Sequence, residues 1–232
     1  MSNVKPDQPG ISPLFFALTG VFIAFLIASN LIAVKLVSIF GMVLPAAVVI
    51  FPVTYIFGDV LTEVYGYRRM RMVIWLGFLA NLLVVGAISL AQLLPAASFW
   101  KGQSAYVAIL GQTPRLLLGS FAAYLAGEFL NSLVLSRMKL LTKGRFLWTR
   151  TIGSTAVGQL ADTGIFITIA FIGTVSGHSL LQLMIDQWLF KVIYEIAATP
   201  LTYLVVGYLK RKEKIDTFDY HTNLNPLRVF DL

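Results

Sequence analysis

Long runs of apolar residues, separated by short polar segments, dominate this sequence. The apolar core of a bilayer is about 30 Å thick, and a helix needs about 20 residues to cross it. The runs predict six transmembrane helices, at Ser12–Val34, Val43–Leu61, Met72–Leu94, Leu116–Leu135, Ile152–Thr174 and Trp188–Leu209. We therefore expect an all-α, polytopic membrane protein with a six-helix domain over residues 12–209, an N-terminus over 1–11 and a polar tail over 210–232.

The basic residues lie mainly in three segments, which follow the second, fourth and sixth predicted spans. They are Arg68, Arg69 and Arg71, then Arg137, Lys139, Lys143, Arg145 and Arg150, and then Lys210, Arg211, Lys212 and Lys214. Because an excess of Lys and Arg marks the cytoplasmic side of a membrane protein, both termini are predicted to be cytoplasmic. This placement accounts for the net charge of +7 without a direct nucleic-acid partner.

The composition restricts the chemistry further. The chain is 57% hydrophobic and 12% charged, whereas about a quarter of the residues in a soluble domain are charged. It has no cysteine and only two histidines, His178 and His221, which are far apart in sequence. We therefore predict no enzymatic activity, no catalytic residue, no metal site and no cofactor.

Carboxylates placed within the apolar runs are the informative residues. An ionised carboxylate near the middle of a membrane helix costs about 2.5–3.5 kcal/mol, and such groups normally face a bundle interior or a water-filled cavity. Helical spacing of three or four residues groups them with aromatic, amide and lysine side chains on one face of each span. The predicted binding residues are Phe51, Tyr55, Asp59, Glu63, Tyr124, Glu128, Asn131, Gln159, Asp162, Lys191 and Glu195.

These groups suit a flat, nitrogen-rich solute. Carboxylates accept hydrogen bonds from ring N–H groups and exocyclic amines, and aromatic rings stack on a planar ligand. The alternative is that the polar residues only hold the helices together, through bonds of about 0.6–2 kcal/mol each. A pathway for a small molecule is favoured because four spans each present polar groups. On span six, Lys191 and Glu195 are spaced to pair with each other.

Two weaker patterns lead to further hypotheses. Span two reads Tyr55-x-x-Gly58-Asp59 and span four reads Tyr124-x-x-Gly127-Glu128, which suggests two equivalent helices facing one cavity. Span one carries small residues at four-residue steps, Gly20, Ala24 and Ala28. Such a ridge permits close helix packing, either within the bundle, which we favour, or between two subunits of a homodimer.

Longer motifs resemble the bacterial queuosine-precursor transporters, within the vitamin uptake transporter group. The resemblance runs from about Ala28 to Asp219. It is carried by Gly58–Tyr67 (GDVLTEVYGY), by Gly111–Arg115 (GQTPR), by Gly153, Ser154, Thr155, Gln159, Asp162 and Thr163, and by Lys191, Tyr194, Glu195, Thr199 and Pro200.

The resemblance implies import of 7-cyano- and 7-aminomethyl-7-deazaguanine across the bacterial inner membrane, for salvage into queuosine in tRNA. It also implies a fold similar to the substrate-binding components of energy-coupling-factor transporters. The alternative function is therefore a solute-binding subunit of such a vitamin or nucleobase importer.

Overall fold

The fold is helical and was obtained as a computed structural model that describes residues 12–39, 42–111, 114–173, 176–220 and 222–228. The helices in these ranges are α1 (Pro13–Ile32), α2 (Phe51–Tyr65), α3 (Tyr67–Leu93), α4 (Gln103–Leu110), α5 (Pro114–Leu141), α6 (Leu147–Phe171) and α7 (Gly177–Glu213). Strands β1 (Leu36–Ile39) and β2 (Met42–Pro45) form an antiparallel hairpin between α1 and α2, followed by a 3-10 turn at Ala46–Val49.

The distribution of side chains is the reverse of that in a soluble protein. Large apolar residues such as Leu83, Leu160 and Leu204 are exposed on the outer faces of α3, α6 and α7. The interior, by contrast, holds many polar and charged side chains together with an apolar cluster. Lipid is the solvent that suits an apolar exterior around a polar interior, so the chain is a multi-pass membrane protein.

Five helical stretches within the described residues are long and apolar enough to cross a membrane, namely α1, α3, the stretch Gln103–Leu141 that includes α5, α6 and α7. The predicted second span differs most from the structure. Residues from Val43 belong to the hairpin and the 3-10 turn, and α2 has 15 residues. Pro52 lies in the first turn of α2, where its missing N–H leaves no helical bond unmade. Five of the six predicted spans therefore correspond to long apolar helices, whereas the second corresponds to the shorter α2.

Glycines determine the local geometry at two places in the fold, the junction of α2 with α3 and the crossing of α5 with α6. Gly66 has φ of +85°, and this left-handed residue separates α2 from α3. At the crossing of α5 and α6, a Cβ on Gly158 would lie 2.7 Å from the Asn131 Cβ and 2.8 Å from the Gly127 carbonyl oxygen. The two helices therefore approach at backbone distance, as small residues allow in membrane proteins.

The segment between α3 and α5 contains the short helix α4. The tyrosine hydroxyl of Tyr106 on α4 donates to the Ile88 carbonyl at 3.3 Å, and Trp100 packs edge-to-face on Tyr106. Gln112 and Thr113 of the GQTPR motif lie outside the described residues. Arg115 in the same motif donates to the carbonyls of Ile169 and Ile172, at the C-terminal end of α6. A cation at this end of a helix is favourable.

The C-terminal tail folds back against the helices instead of lying at the periphery. Arg71, which is buried, donates to the carbonyls of Asn223 and Asn225 at 2.8 and 2.9 Å. The Asp219 carboxylate accepts from the Tyr67 backbone N–H at 2.9 Å, at the first residue of α3. An acid there satisfies an amide that the helix leaves unpaired.

The small-residue ridge of α1 faces away from the bundle. Gly20 and Ala24 are exposed, and a Cβ on Gly20 would have no heavy atom within 4 Å. The favoured expectation, packing of this ridge within the bundle, is therefore wrong for these two residues. The homodimer alternative stays a prediction.

Candidate functional site

Four buried carboxylates converge from four helices. Asp59 comes from α2, Glu128 from near the middle of α5, Asp162 from α6 and Glu195 from near the middle of α7. Their exposed fractions are 0%, 1%, 6% and 1%. The central site, as we call it, consists of these four carboxylates and the polar side chains around them.

Helices α2 and α5 meet at and next to the two repeated motifs. The Asn131 amide donates to Asp59 Oδ1 at 2.7 Å, and the hydroxyls of Thr62 and Ser132 lie 3.3 Å apart. A Cβ on Gly58 would be 3.2 Å from Glu128 Oε2. Asp59 and Glu128 therefore face the same site, as the repeat hypothesis requires.

Lys191 on α7 pairs with a residue of another helix, and not with Glu195 on α7. Its ammonium group donates to Asp162 Oδ2 at 2.7 Å and to the Thr163 hydroxyl at 3.3 Å. It also lies 4.8 Å from the centre of the Phe51 ring, in cation–π geometry. The predicted pairing of Lys191 with Glu195 is therefore replaced by a pair between α7 and α6.

Many acceptor atoms of the central site have no hydrogen-bond partner among the described residues. They are Asp59 Oδ2, Glu128 Oε2, both oxygens of Glu195, Asn131 Oδ1, Gln159 Oε1, and the hydroxyls of Tyr55 and Thr155. Buried polar atoms are normally paired, and an unpaired one costs about 1–3 kcal/mol. A concentration of open acceptors beside one lysine suits a ligand that brings several donors.

The predicted aromatic residues separate into two groups. The Tyr55 hydroxyl lies beside Gly127 and Asp162, because a Cβ on Gly127 would be 2.8 Å from both the hydroxyl oxygen and the Asp162 Cβ. Phe51 packs on Tyr55 with ring centres 5.6 Å apart. The Tyr124 hydroxyl, however, donates to the Ile74 carbonyl at 3.0 Å, so its polar end is occupied in the contact between α5 and α3.

Glu63 belongs to a different cluster, at the end of the bundle where the tail docks. Arg150 binds its carboxylate with two hydrogen bonds of 2.8 Å, and Lys210 approaches it at 2.5 Å. Lys139 lies 3.5 Å from the same carboxylate and 2.5 Å from Asp216 of the tail. We call these residues the basic cluster.

Asp216 is the more exposed acid of the basic cluster. Its partial burial raises the pKa of the Asp216 carboxyl, but hydrogen bonds from Lys139 and Lys210 outweigh this, so the pKa lies below its ordinary value. The acid is therefore ionised at neutral pH and helps to balance the lysines.

The sequence pattern predicts only that Arg150 marks the cytoplasmic side of the membrane. In the structure, Arg150 is 1% exposed and binds the Glu63 carboxylate, a role that the pattern does not predict. The signal was available, because Arg150 lies within the first turn of α6, next to an apolar run. A basic residue at such a place has to snorkel or to pair with an acid.

The four carboxylates of the central site are shielded from solvent in this structure. A cavity of about 390 Å³ lies elsewhere, between α1, α2 and α7. Its lining is apolar and includes Leu18, Phe57 and Leu201. Passage of a solute to the carboxylates therefore requires the helices to move.

Comparison with known proteins places the chain in a family of transporters. A family described as "Putative vitamin uptake transporter" matches residues 45–205, from the end of β2 to the last third of α7. A Bacillus subtilis protein named "Probable queuosine precursor transporter" is 33% identical over 189 residues, which is 81% of this chain and 82% of that protein. A Haemophilus influenzae protein of the same name is 26% identical over 166 residues, 70% of this chain and 68% of that protein. No solved structure matches.

Proposed function

This chain belongs to the vitamin uptake transporter family, and on that premise we propose that it imports queuosine precursors across the bacterial inner membrane. The substrates are 7-cyano- and 7-aminomethyl-7-deazaguanine, for salvage into queuosine in tRNA. Both termini are cytoplasmic in this proposal. The clustering of Lys139, Arg150 and Lys210 at one end of the bundle supports that orientation.

The main support for the proposal is the set of oxygen atoms in the central site that have no hydrogen-bond partner among the described residues. A deazaguanine presents donors at its N1–H, its exocyclic amine and its pyrrole N–H. Glu195 has both oxygens open, which suits bidentate acceptance from N1–H and the exocyclic amine. The names of the two relatives, which concern queuosine precursors, support the same class of ligand.

Other residues of the central site take complementary roles. Asp59 receives the aminomethyl cation, because its Oδ2 is open while Asn131 holds its Oδ1. Gln159 reads the ring edge, and Phe51 and Tyr55 stack on the ring. Lys191 keeps Asp162 neutralised and in place. Glu63 is not used for the substrate, because Arg150 and Lys210 already bind both of its oxygens.

Uptake of labelled precursors tests this proposal, in bacteria that cannot synthesise them. Replacing Glu195→Gln removes the charge and one acceptor while keeping the shape of the side chain. Loss of a hydrogen bond to a charged group costs about 1.5–3 kcal/mol, so we expect uptake at low substrate concentration to fall about 10- to 100-fold.

The matched control is Asp186→Asn on the same helix, where the half-buried carboxylate bonds only to Gln182 at 2.8 Å among the described residues. Its uptake should equal that of the unmodified chain. Wild-type uptake by the Glu195→Gln variant, at equal abundance in the membrane, would contradict the proposed site. Transport by the purified chain alone in liposomes distinguishes an autonomous transporter from the solute-binding subunit of a larger importer.

A further inference from the structure

Asp59 on α2 and Glu195 on α7 form a pair of acids that the helix packing brings together. The two helices are in contact, and the negative charge of Glu195 acts on the Asp59 carboxylate. Asp59 is 0% exposed and Glu195 is 1% exposed. Three of their four carboxylate oxygens have no hydrogen-bond partner among the described residues.

If Asp59 and Glu195 were both ionised, no positive charge among the described residues would compensate the two negative charges. The ammonium group of Lys191 is bound to Asp162, and Arg150 and Lys210 are bound to Glu63. Burial of an ionised carboxylate is very costly unless it is paired, and two carboxylates in one site normally hold a proton between them. The pair therefore has a physical reason to keep one proton in the closed protein.

The ionisable groups around the pair lie on α2, α5, α6 and α7. They are Tyr55 and Glu63 on α2, Tyr124 and Glu128 on α5, Asp162 on α6, and Lys191 on α7. Apart from Lys191, all are acids or phenols, and Glu63 and Asp162 already have cationic partners. None of them supplies a positive charge to the pair.

We propose that Asp59 and Glu195 share one proton when no substrate is bound, and that a cationic substrate group displaces this proton. The inference rests on the proposed function for the identity of the substrates. With the neutral 7-cyano precursor the proton stays on Asp59, and Glu195 accepts from the ring. With the aminomethyl precursor the proton leaves for the solution, and the ammonium group takes its place beside Asp59.

The two precursors should therefore bind with different pH dependence. An alkyl amine such as that of lysine has a pKa of about 10.4. The adjacent ring lowers the pKa of the aminomethyl group by about one unit, so this group stays mainly charged up to about pH 8.5. By linkage, a ligand that releases one proton binds up to about tenfold more tightly per pH unit, over the range in which the pair is protonated. Affinity for the aminomethyl precursor should rise with pH, whereas affinity for the cyano precursor should not change.

The experiment is titration calorimetry of the purified full-length chain with each precursor, between pH 6 and pH 8.5. Repeating each titration in buffers with different heats of ionisation gives the number of protons released per ligand bound. We expect about one proton for the aminomethyl precursor and none for the cyano precursor. Asp59→Asn should abolish the release, and Asp186→Asn should retain it.

The possible outcomes separate the two claims. Binding of both precursors without proton release would overturn the shared proton and leave the proposed function standing. Release with both precursors would also overturn it, as would an affinity that depends on Na⁺ instead of pH. Binding of neither precursor would overturn the proposed function, together with the inference that rests on it. The comparison between ligands uses the unmodified chain, so it does not depend on the folding of a variant.

Discussion

Glu63 illustrates how a single acid is kept inside a membrane protein. It is 0% exposed, and its carboxylate is bound by Arg150 and Lys210, with Lys139 nearby. Those three cations come from α5, α6 and α7, so Glu63 joins α2 to three other helices. Asp216 from the tail supplies a second negative charge to the lysines.

Replacement of Glu63→Gln should therefore be strongly destabilising. It leaves Arg150 buried without its charged partner, and breaking a buried ion pair from one side costs about 3–5 kcal/mol. The measurement is thermal unfolding of the purified variant in detergent. Asp186→Asn, which removes a half-buried carboxylate that has no cationic partner among the described residues, serves as the control and should unfold at the wild-type temperature. An unchanged unfolding temperature for Glu63→Gln would show that the basic cluster does not stabilise the fold.

At the scale of helices, α5 and α6 form the closest-packed pair. Gly127 and Gly158 bring their backbones together, and Arg115 from the start of α5 reaches the carbonyls at the end of α6. This contact also fixes the central site, because Asn131 and Asp162 lie directly beside the two glycines.

Gly158→Ala should force these helices apart. The added Cβ would meet backbone and Cβ atoms at 2.7–2.8 Å, and none of these is the end of a flexible side chain. Overpacking of this kind costs about 1–3 kcal/mol, which should appear as a lower unfolding temperature. Gly164→Ala on the same helix is the matched control. Its Cβ would have open space within 4 Å, so its unfolding temperature should stay the same or rise slightly.

The helices were more predictable than their contacts. Hydropathy found α1, α3, α5, α6 and α7, because each exposes an apolar face to lipid. It misjudged residues 43–50, since β-branched apolar residues suit a hairpin or a turn as well as a helix in a hydropathy profile. Pro45 and Pro52 were the available signals that the helix begins later.

At the scale of the whole molecule, the tail closes one end of the bundle. Residues 216–220 and 222–226 supply acceptors to Arg71, Lys139, Tyr67 and Trp75 from α3 and α5. The sequence predicted only a polar tail, because acceptors such as the Asn223 and Asn225 carbonyls belong to the backbone and leave no mark in the side-chain pattern. Spacing identified the acids of the central site but not which of them would be paired, because a pair such as Asp162 and Lys191 depends on how two helices pack together.

A chain that ends at Lys214 should be less stable than the full chain. It loses both carbonyl acceptors of buried Arg71, and hydrogen bonds to charged groups are worth about 1.5–3 kcal/mol each. The loss should lower the unfolding temperature in detergent. A chain that ends at Arg228 keeps these contacts and is the control. Equal unfolding temperatures for the two truncated chains would mean that the docked tail contributes nothing to stability.

The position of α2 in the chain has a consequence for how the protein is made. This 15-residue helix carries Asp59 and Glu63, and a short helix with two acids gains little by entering lipid on its own. Its polar partners, Asn131, Arg150 and Lys210, are all synthesised later. We therefore expect α2 to reach its final depth in the membrane only after α7, which carries Lys210, has been synthesised.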